Sequence, residues 1–330
     1  MRSTSRRGHL SGAAALLALL AMLALGLAAA GCGSSDTATS ASPTPSSSGS
    51  AAATWGAADL AALQTDAALT AMLPTGMTEI RVASDIPYPP WEYCEPATSK
   101  NPAGFDFDLS QAIAKKIGVP ASFNPTPFDS IILSLKGGKN DIIMSDMYDN
   151  LEREQQGVSF VDYAYDGTSI LVKKGNAAGI TNLDSLAGKT VTCESGTTQQ
   201  AFLQKLNKDF KAAGKSEITI LALPNQPAAL LAVTSGRAVG DLTDHSTASY
   251  IAINTNGGKS FEVLSDPAAP NGYDPQIVGI GILATNTALI DTTQAALQAL
   301  IDEGAYAKII AKYGLLPVES ALVNQGGVAQ

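Results

Sequence analysis

Arg153 carries the side chain that presents two parallel N–H donors to a carboxylate, and it follows the run Ser145-Asp146-Met147-Tyr148 at the end of an apolar strand. A surface ion pair with its neighbours Glu152 or Glu154 is the ordinary alternative. Thr198 stands where the turn Ser195-Gly196-Thr197-Thr198 opens a helix, so its N–H and hydroxyl can serve the same anion. Plain capping is the competing role. Gln199 beside it can reach a ligand side chain. Asp244 sits just after another apolar strand, with capping of the following helix as its bland reading. The segment Asp85-Ile86-Pro87-Tyr88-Pro89-Pro90-Trp91-Glu92 is too rich in proline for a helix and forms a rigid loop presenting aromatic rings. A guanidinium fork for a carboxylate, an acid for an ammonium group and apolar walls that exclude water are the needs of a free amino acid, and each has a candidate here.

The elements that position these residues alternate strand and helix from about residue 79. A strand over 80–84 is followed by a helix whose face is Leu109, Ile113 and Ile117, stopped by Gly118 and Pro120. Ile131, Ile132 and Leu135 mark a second helix, stopped by Gly137-Gly138, and a strand over 141–145 follows. A second set begins near Ile170. It has strands over 190–193, 218–221 and 238–242, a helix with Phe202, Leu206 and Phe210 on one face, and another opened by Pro227 and closed by Gly236. A β-branched run over 277–284 and helices over 292–302 and 305–313 close the chain. Two similar βα sets and a returning tail predict an α/β fold of two lobes, each a mainly parallel sheet flanked by helices, joined by a two-strand hinge. Residues 77–166 with 280–330 form lobe 1 and residues 167–279 form lobe 2. Sheets of this kind hold ligands at the carboxyl ends of their strands.

With 330 residues, 45% of them apolar, the chain can bury two such cores. Its formal charge of -9, with only 15% charged residues, argues against nucleic-acid binding and favours a cationic or zwitterionic partner. Arg2, Arg6 and Arg7 precede a Leu/Ala run over 10–30 that ends in small residues and Cys32, which reads as an export signal over 1–31. An uncleaved anchor of about 18 apolar residues is the alternative, and both readings put the domain outside the cell. Removing residues 1–31 takes away three Arg and no acid, so -9 becomes -12. From Gly33 to Ala53 the chain is, apart from Asp36, Ser, Ala, Thr, Gly and Pro, a tether. Leu60, Leu63, Leu69 and Met72 mark a short helix within a segment, 32–76, that otherwise tethers. Cys94 and Cys193 can pair or remain free thiols.

The run Ala29-Ala30-Gly31-Cys32 resembles the lipobox of bacterial lipoproteins, which implies acylation of Cys32 and a lipid-anchored protein on the outer face of the cell membrane. Further along stand Tyr88-Pro89-Pro90-Trp91-Glu92, Gly104-Phe105-Asp106-Phe107-Asp108-Leu109, Ser145 with Glu152-Arg153, Gly196-Thr197-Thr198-Gln199, Ser235-Gly236-Arg237 followed by Thr243-Asp244, and Gly304-Ala305-Tyr306-Ala307-Lys308-Ile309. In that order, over residues 79–315, they resemble the extracytoplasmic solute-binding proteins for polar amino acids, which have the type II periplasmic-binding fold and serve ATP-driven importers. The resemblance implies that Arg153 and Thr198 hold the ligand carboxylate, that Asp244 holds its ammonium, that Tyr88 and Phe128 sandwich it, and that Ser145 is among the ligand-binding residues. Core packing is the ordinary role for those rings. Trp91 packs rather than binds. Asp85 matches a position that touches the ligand side chain, while Asp146 replaces the usual Gly or Ser. Two carboxylates near one pocket favour a basic amino acid or related amine. Tyr148 replaces the usual Thr or Ser and crowds the ammonium pocket, which leaves room for an N-substituted ligand.

The implied partners are an amino acid or amine, a membrane permease and the membrane itself through the lipid, for a chain acting as a monomer without cofactor, metal or nucleic acid. An enzyme is not expected: a Walker A loop, a His-Glu-x-x-His motif and a triad are all missing, and His245, read as a bystander, is the one His after residue 31. Gly279, Gly281 and Ala284 match a dinucleotide fingerprint by letters only, inside a strand. Alternatives are a dehydratase on the same fold, with Asp or Glu as general acid, and the sensing lobe of a signalling system.

Overall fold

The structure is a computed structural model that describes residues 55–326. The export signal, Cys32 and the tether expected over 33–53 lie outside the described residues. Two short helices, α1 (Ala57–Ala62) and α2 (Ala67–Met72), open the described chain. The single short helix expected here is divided because Asp66 caps α2 by accepting from the N–H of Ala68. Leu69 is buried, and Leu60 and Leu63 pack on the larger core.

β1 (Ile80–Ser84) leads through the small hairpin β2 (Tyr93–Cys94) and β3 (Pro102–Ala103) to α3 (Phe105–Ile117). Leu109, Ile113 and Ile117 of α3 are buried, spaced to share one face, and Gly118 ends the helix in the left-handed conformation. β4 (Ala121–Pro125), a 3-10 turn over Phe128–Ser130, α4 (Ile131–Lys136), β5 (Ile142–Ile143) and α5 (Leu151–Gln155) follow. β6 (Val158–Lys173) is the longest strand, and β7 (Thr190–Glu194), α6 (Thr198–Ala212), β8 (Thr219–Leu223), α7 (Gln226–Thr234), β9 (Gly240–Asp244), α8 (His245–Asn254) and β10 (Phe261–Val263) build the second half. β11 (Tyr273–Leu283), α9 (Thr287–Asp302) and α10 (Ala305–Tyr313) return to the first.

The strand order is β4-β1-β5-β11-β6-β9-β7-β8, with β10 also on β6. β1 is parallel to β4 and β5, and β7 is parallel to β8 and β9. Between these two parallel sets β6 and β11 run antiparallel. β6 is 16 residues long, roughly 50 Å of extended chain, and pairs with β11 along its first part and with β9 and β10 along its last. The chain therefore crosses between the lobes twice, on two paired strands. Where they meet, Gly272 has φ +92, and a Cβ there would lie 2.7 Å from the Gly167 carbonyl carbon, so only glycine fits. Buried apolar residues divide accordingly. Val82, Trp91, Phe105, Val161, Ile280 and Leu297 share one core, and Ile170, Val191, Leu203, Phe210 and Leu242 another.

Several boundaries move from their sequence-based positions. The strand expected over 238–242 is Gly240–Asp244, because the N–H groups of Arg237 and Ala238 bond to Ala232 and close α7 instead. The strand over 141–145 shortens to Ile142–Ile143, since Asp146 turns the chain with φ 44. The strand expected near Ile170 is the last part of β6, where it pairs with β9 and β10, and the same strand already starts at Val158. After α10 residues 316–326 lie back along β6: Leu316 accepts from Tyr165, Leu322 accepts from Asp162, and Asn324 donates to Phe160. Cys94 and Cys193 are free thiols. No helix among the described residues is long and apolar enough to cross a membrane.

Candidate functional site

A narrow cavity lies between the lobes at strand ends and loops. Asp85, Tyr88, Phe128, Ser145, Asp146 and Arg153 line it from one side, and Glu194, Thr197, Thr198, Gln199 and Asp244 from the other. Nine of the ten ligand-binding residues expected from the sequence meet there; Tyr148 is the exception.

The loop after β1 is held from three directions. Tyr88 and Glu92 close a turn through backbone bonds, and Gly104 at φ +115 passes so near Trp91 that a Cβ would sit 2.2 Å from its carbonyl oxygen. Trp91 is fully buried, edge-on to Phe105 and Tyr163, and its indole N–H donates to Ser246 Oγ of α8 at 2.8 Å. Trp91 thus packs, as expected, and also ties the loop to the opposite lobe. Ser145 Oγ accepts from the Asp85 N–H at 2.9 Å and donates to the buried Glu92 carboxylate at 2.6 Å, so its hydroxyl supports the loop. Glu92 is held well above the usual carboxylate range by burial and by Asp106.

Arg153 is placed by α5, whose cap Asn150 accepts from the Arg153 N–H at 3.0 Å. The guanidinium is buried, lies 5.5 Å from the centre of the Phe128 ring and donates from Nη1 to the Tyr148 carbonyl at 2.7 Å. Burial lowers its pKa to about 10 against the pull of Asp244. Among the described residues it forms no ion pair with Glu152 or Glu154. Opposite stands the start of α6. Thr197, not Thr198, is the cap: its hydroxyl accepts from Gln200 and donates to the Glu194 carbonyl at 2.8 Å. Thr198 is the first helical residue, where backbone N–H groups have no partner within the helix.

Asp244 ends β9 and occupies the cap position of α8, yet its side chain makes no capping bond. Its oxygens instead accept from Tyr88 Oη, Tyr148 Oη and Gln199 Nε2, the last at 2.6 Å. Two expectations change with this. Gln199 spends its amide on Asp244 rather than extending toward a ligand side chain. Tyr148, 1% exposed, reaches Asp244 from behind the cavity wall because its backbone pairs with Val278 of β11, and it does not line the space. His245 has a partner too, with Nδ1 2.8 Å from Ser169 Oγ.

Sequence reasoning missed three residues. Glu194 lines the cavity, both its oxygens are buried without a hydrogen-bond partner, and burial with the neighbouring Asp85 raises its pKa to about 11. Its signal was a carboxylate at a strand end, hidden because that strand was read one residue short. Thr197 was masked by its neighbour. Asp166 lies in the unrecognised part of β6, and its carboxylate, with those of Asp146 and Asp244, falls within 4.8 Å of the other two. Three clustered carboxylates suit a hard cation. Here Asp166 accepts from Gly167 and Ser246, and Asp244 is bonded as above, so Asp146 alone has free oxygens. Burial, then Asp244 and Asp166, raise Asp146 well above the carboxylate range.

Comparison with known proteins matches residues 80–315 to the model for bacterial extracellular solute-binding proteins, family 3. The putative ABC transporter arginine-binding protein 2 of Escherichia coli (strain K12) is 30% identical over 239 residues, covering 72% of this chain and 92% of that protein. Among solved structures, an ancestral arginine-binding protein bound to arginine is 31% identical with a TM-score of 0.63, covering 72% of this chain and 98% of its own. The ancestral amino acid-binding protein AncCDT-1, a precursor of cyclohexadienyl dehydratase, is 29% identical with a TM-score of 0.59, covering 72% and 95%.

Proposed function

The chain belongs to the bacterial extracellular solute-binding proteins of family 3, and from that premise we propose that it captures a basic amino acid or related amine between its lobes and delivers it to the permease of an ATP-driven importer. The observation that carries this reading is the convergence on one cavity of a buried guanidinium without an acid partner and four carboxylates, contributed from both sides of the cleft. Arg153 and the start of α6 offer donors to a ligand carboxylate, the carboxylates answer its cations, and Tyr88 and Phe128 supply the apolar walls. The lobes, 77–166 with 280–330 and 167–279, close on the ligand about β6 and β11, acting as a monomer. Arginine-binding relatives support the basic class.

Titration calorimetry with the twenty amino acids and simple amines tests the reading. Binding confined to basic members, lost in Arg153→Ala, is the expected result; no binding by any of them removes it. Cys32 carries the lipid that holds the protein on the outer face of the membrane, and Cys32→Ser then releases it into the medium. A dehydratase reading draws on Glu194, an acid in the cavity whose pKa burial and Asp85 raise to about 11, and on the likeness to AncCDT-1. Product analysis after incubation with cyclohexadienyl acids separates turnover from capture.

A further inference from the structure

Three carboxylates from three parts of the molecule meet beside the amino acid cavity. Asp146 follows β5 of the first lobe, Asp166 lies on the crossing strand β6, and Asp244 ends β9 of the second lobe. One oxygen from each lies within 4.8 Å of the other two, and all three residues are buried. Asp166 does not line the amino acid cavity. It lines a separate crevice, with Pro90, Tyr165, His245, Ser246 and Asn271.

The protein's own donors orient two of the three. Gly167 N–H donates to Asp166 Oδ1 at 2.7 Å and the Ser246 hydroxyl to Oδ2, while the Tyr88 and Tyr148 hydroxyls and the Gln199 amide donate to Asp244. Carboxylates that bind a metal are ordinarily held by such outer hydrogen bonds, which aim the group and leave lone pairs for the ion. Asp146 is anchored only through its backbone, whose N–H donates to Asp106 Oδ2 at 3.0 Å. Both its side-chain oxygens are buried without a partner, in a residue 5% exposed. Among the described residues no Lys or Arg forms an ion pair with any of the three. Buried anions without a counter-charge are costly, so the cluster calls for a cation from outside the chain.

Oxygen ligands alone suit a hard cation. Opposite oxygens around calcium stand about 4.6–5.2 Å apart, a span that takes in this cluster as it is. Magnesium asks for a regular octahedron and keeps most of its water, which three buried side chains on separate elements do not provide. We propose that Asp146, Asp166 and Asp244 form a calcium site that fastens both lobes to the crossing strand. The ion reaches it through the crevice that Asp166 lines. Separating the lobes would part Asp146 from Asp244, so the bound ion favours the closed arrangement. Three negative charges are balanced by a divalent ion and one ammonium group together, which makes the site compatible with amino acid capture.

Titration calorimetry of the chelator-treated protein with calcium chloride, in the absence of any amino acid, tests the site. The expected result is uptake of a single ion, with Tm raised by several degrees in millimolar calcium. Asp146→Asn and Asp166→Asn should each weaken the ion by roughly tenfold or more. Asp162→Asn, a buried acid elsewhere on β6, should leave it within about twofold. A cooperative unfolding transition in calcium-free buffer shows that each variant is folded. A native protein that takes up no calcium and whose Tm calcium does not move overturns the proposal. So does calcium binding that is unchanged in Asp146→Asn and Asp166→Asn, or lost equally in all three variants. Because no amino acid enters the measurement, its failure leaves the capture reading standing, and titration with arginine or lysine tests that reading by itself.

Discussion

Two groups of acids meet opposite fates. Asp149, Glu154 and Asp162 gather where α5, β6 and the returning tail meet; burial raises Asp149 to about 7, and burial with the charge of Asp149 raises Asp162 to about 8. The tail answers Asp149 and Asp162 on one oxygen each, with Gly326 N–H donating to Asp149 Oδ2 at 2.7 Å and Gln325 N–H to Asp162 Oδ2 at 3.1 Å. Around the cavity, burial also raises Asp146 and Glu194, and neither receives a donor on either oxygen. Burial alone therefore does not mark a binding site. A carboxylate given a donor by a covering segment is part of the scaffold, and one that opens on a cavity without donors is set for a ligand.

The largest expected effect sets these regions apart directly. Arg153→Ala should weaken amino acid binding by a hundredfold or more, since truncating one partner of a buried charge pair costs about 2–5 kcal/mol. Asp162→Asn should leave affinity within about threefold by the same calorimetry. Equal losses would erase the distinction.

Next in size is the dependence of unfolding on pH. Asp149, Asp162 and Asp166, the last raised by burial and Asp244 to about 8, have folded pKa values above those of the unfolded chain. The folded protein then holds more protons than the unfolded one, so stability falls as pH rises from the unfolded values near 4 through 7 and 8. The Tm of the ligand-free protein should drop by several degrees between pH 6 and pH 9 in calorimetric scans. The double variant Asp149→Asn with Asp162→Asn should remove the share of that slope due to these two acids, leaving that of Asp166, while basic amino acids bind as before.

A smaller change follows from deleting residues 322–330. That removes the donors at Gln325 and Gly326, the carbonyl of Leu322 and the two bonds of Asn324 to Phe160, about 1 kcal/mol for each hydrogen bond. Tm at pH 6 should fall by a few degrees, with less further loss at pH 9, because water reaches the acids. The smallest effect separates neighbours: Thr197→Ala loses a helix cap, about 1 kcal/mol, and lowers Tm, whereas Thr198→Ala lowers affinity and leaves Tm unchanged.

How much of this was legible in the sequence depended on how far away each residue's partners lie. The α3 face of Leu109, Ile113 and Ile117 and its Gly118 stop are local patterns and read correctly. So did the gathering of Arg153, Thr198 and the loop around Tyr88, because strand ends carry such residues. β6 was not legible along its full length. Asp162, Asp166 and Thr168 interrupt its apolar run, and they are buried only because the tail, Ser246 and Gln199 supply hydrogen bonds from far along the chain. The same distance hid the role of Asp244, whose side-chain partners Tyr88, Tyr148 and Gln199 are 156, 96 and 45 residues away.

The lobe-spanning contact of Trp91 gives the protein an optical gauge. The chain has two tryptophans, and Trp55 packs in the core of the first lobe while Trp91 reaches Ser246 across the cleft. Opening would break the indole's bond and admit solvent to one side of the ring. A red shift and dimming of intrinsic emission, reversed on adding ligand, would follow the motion in real time without any attached dye.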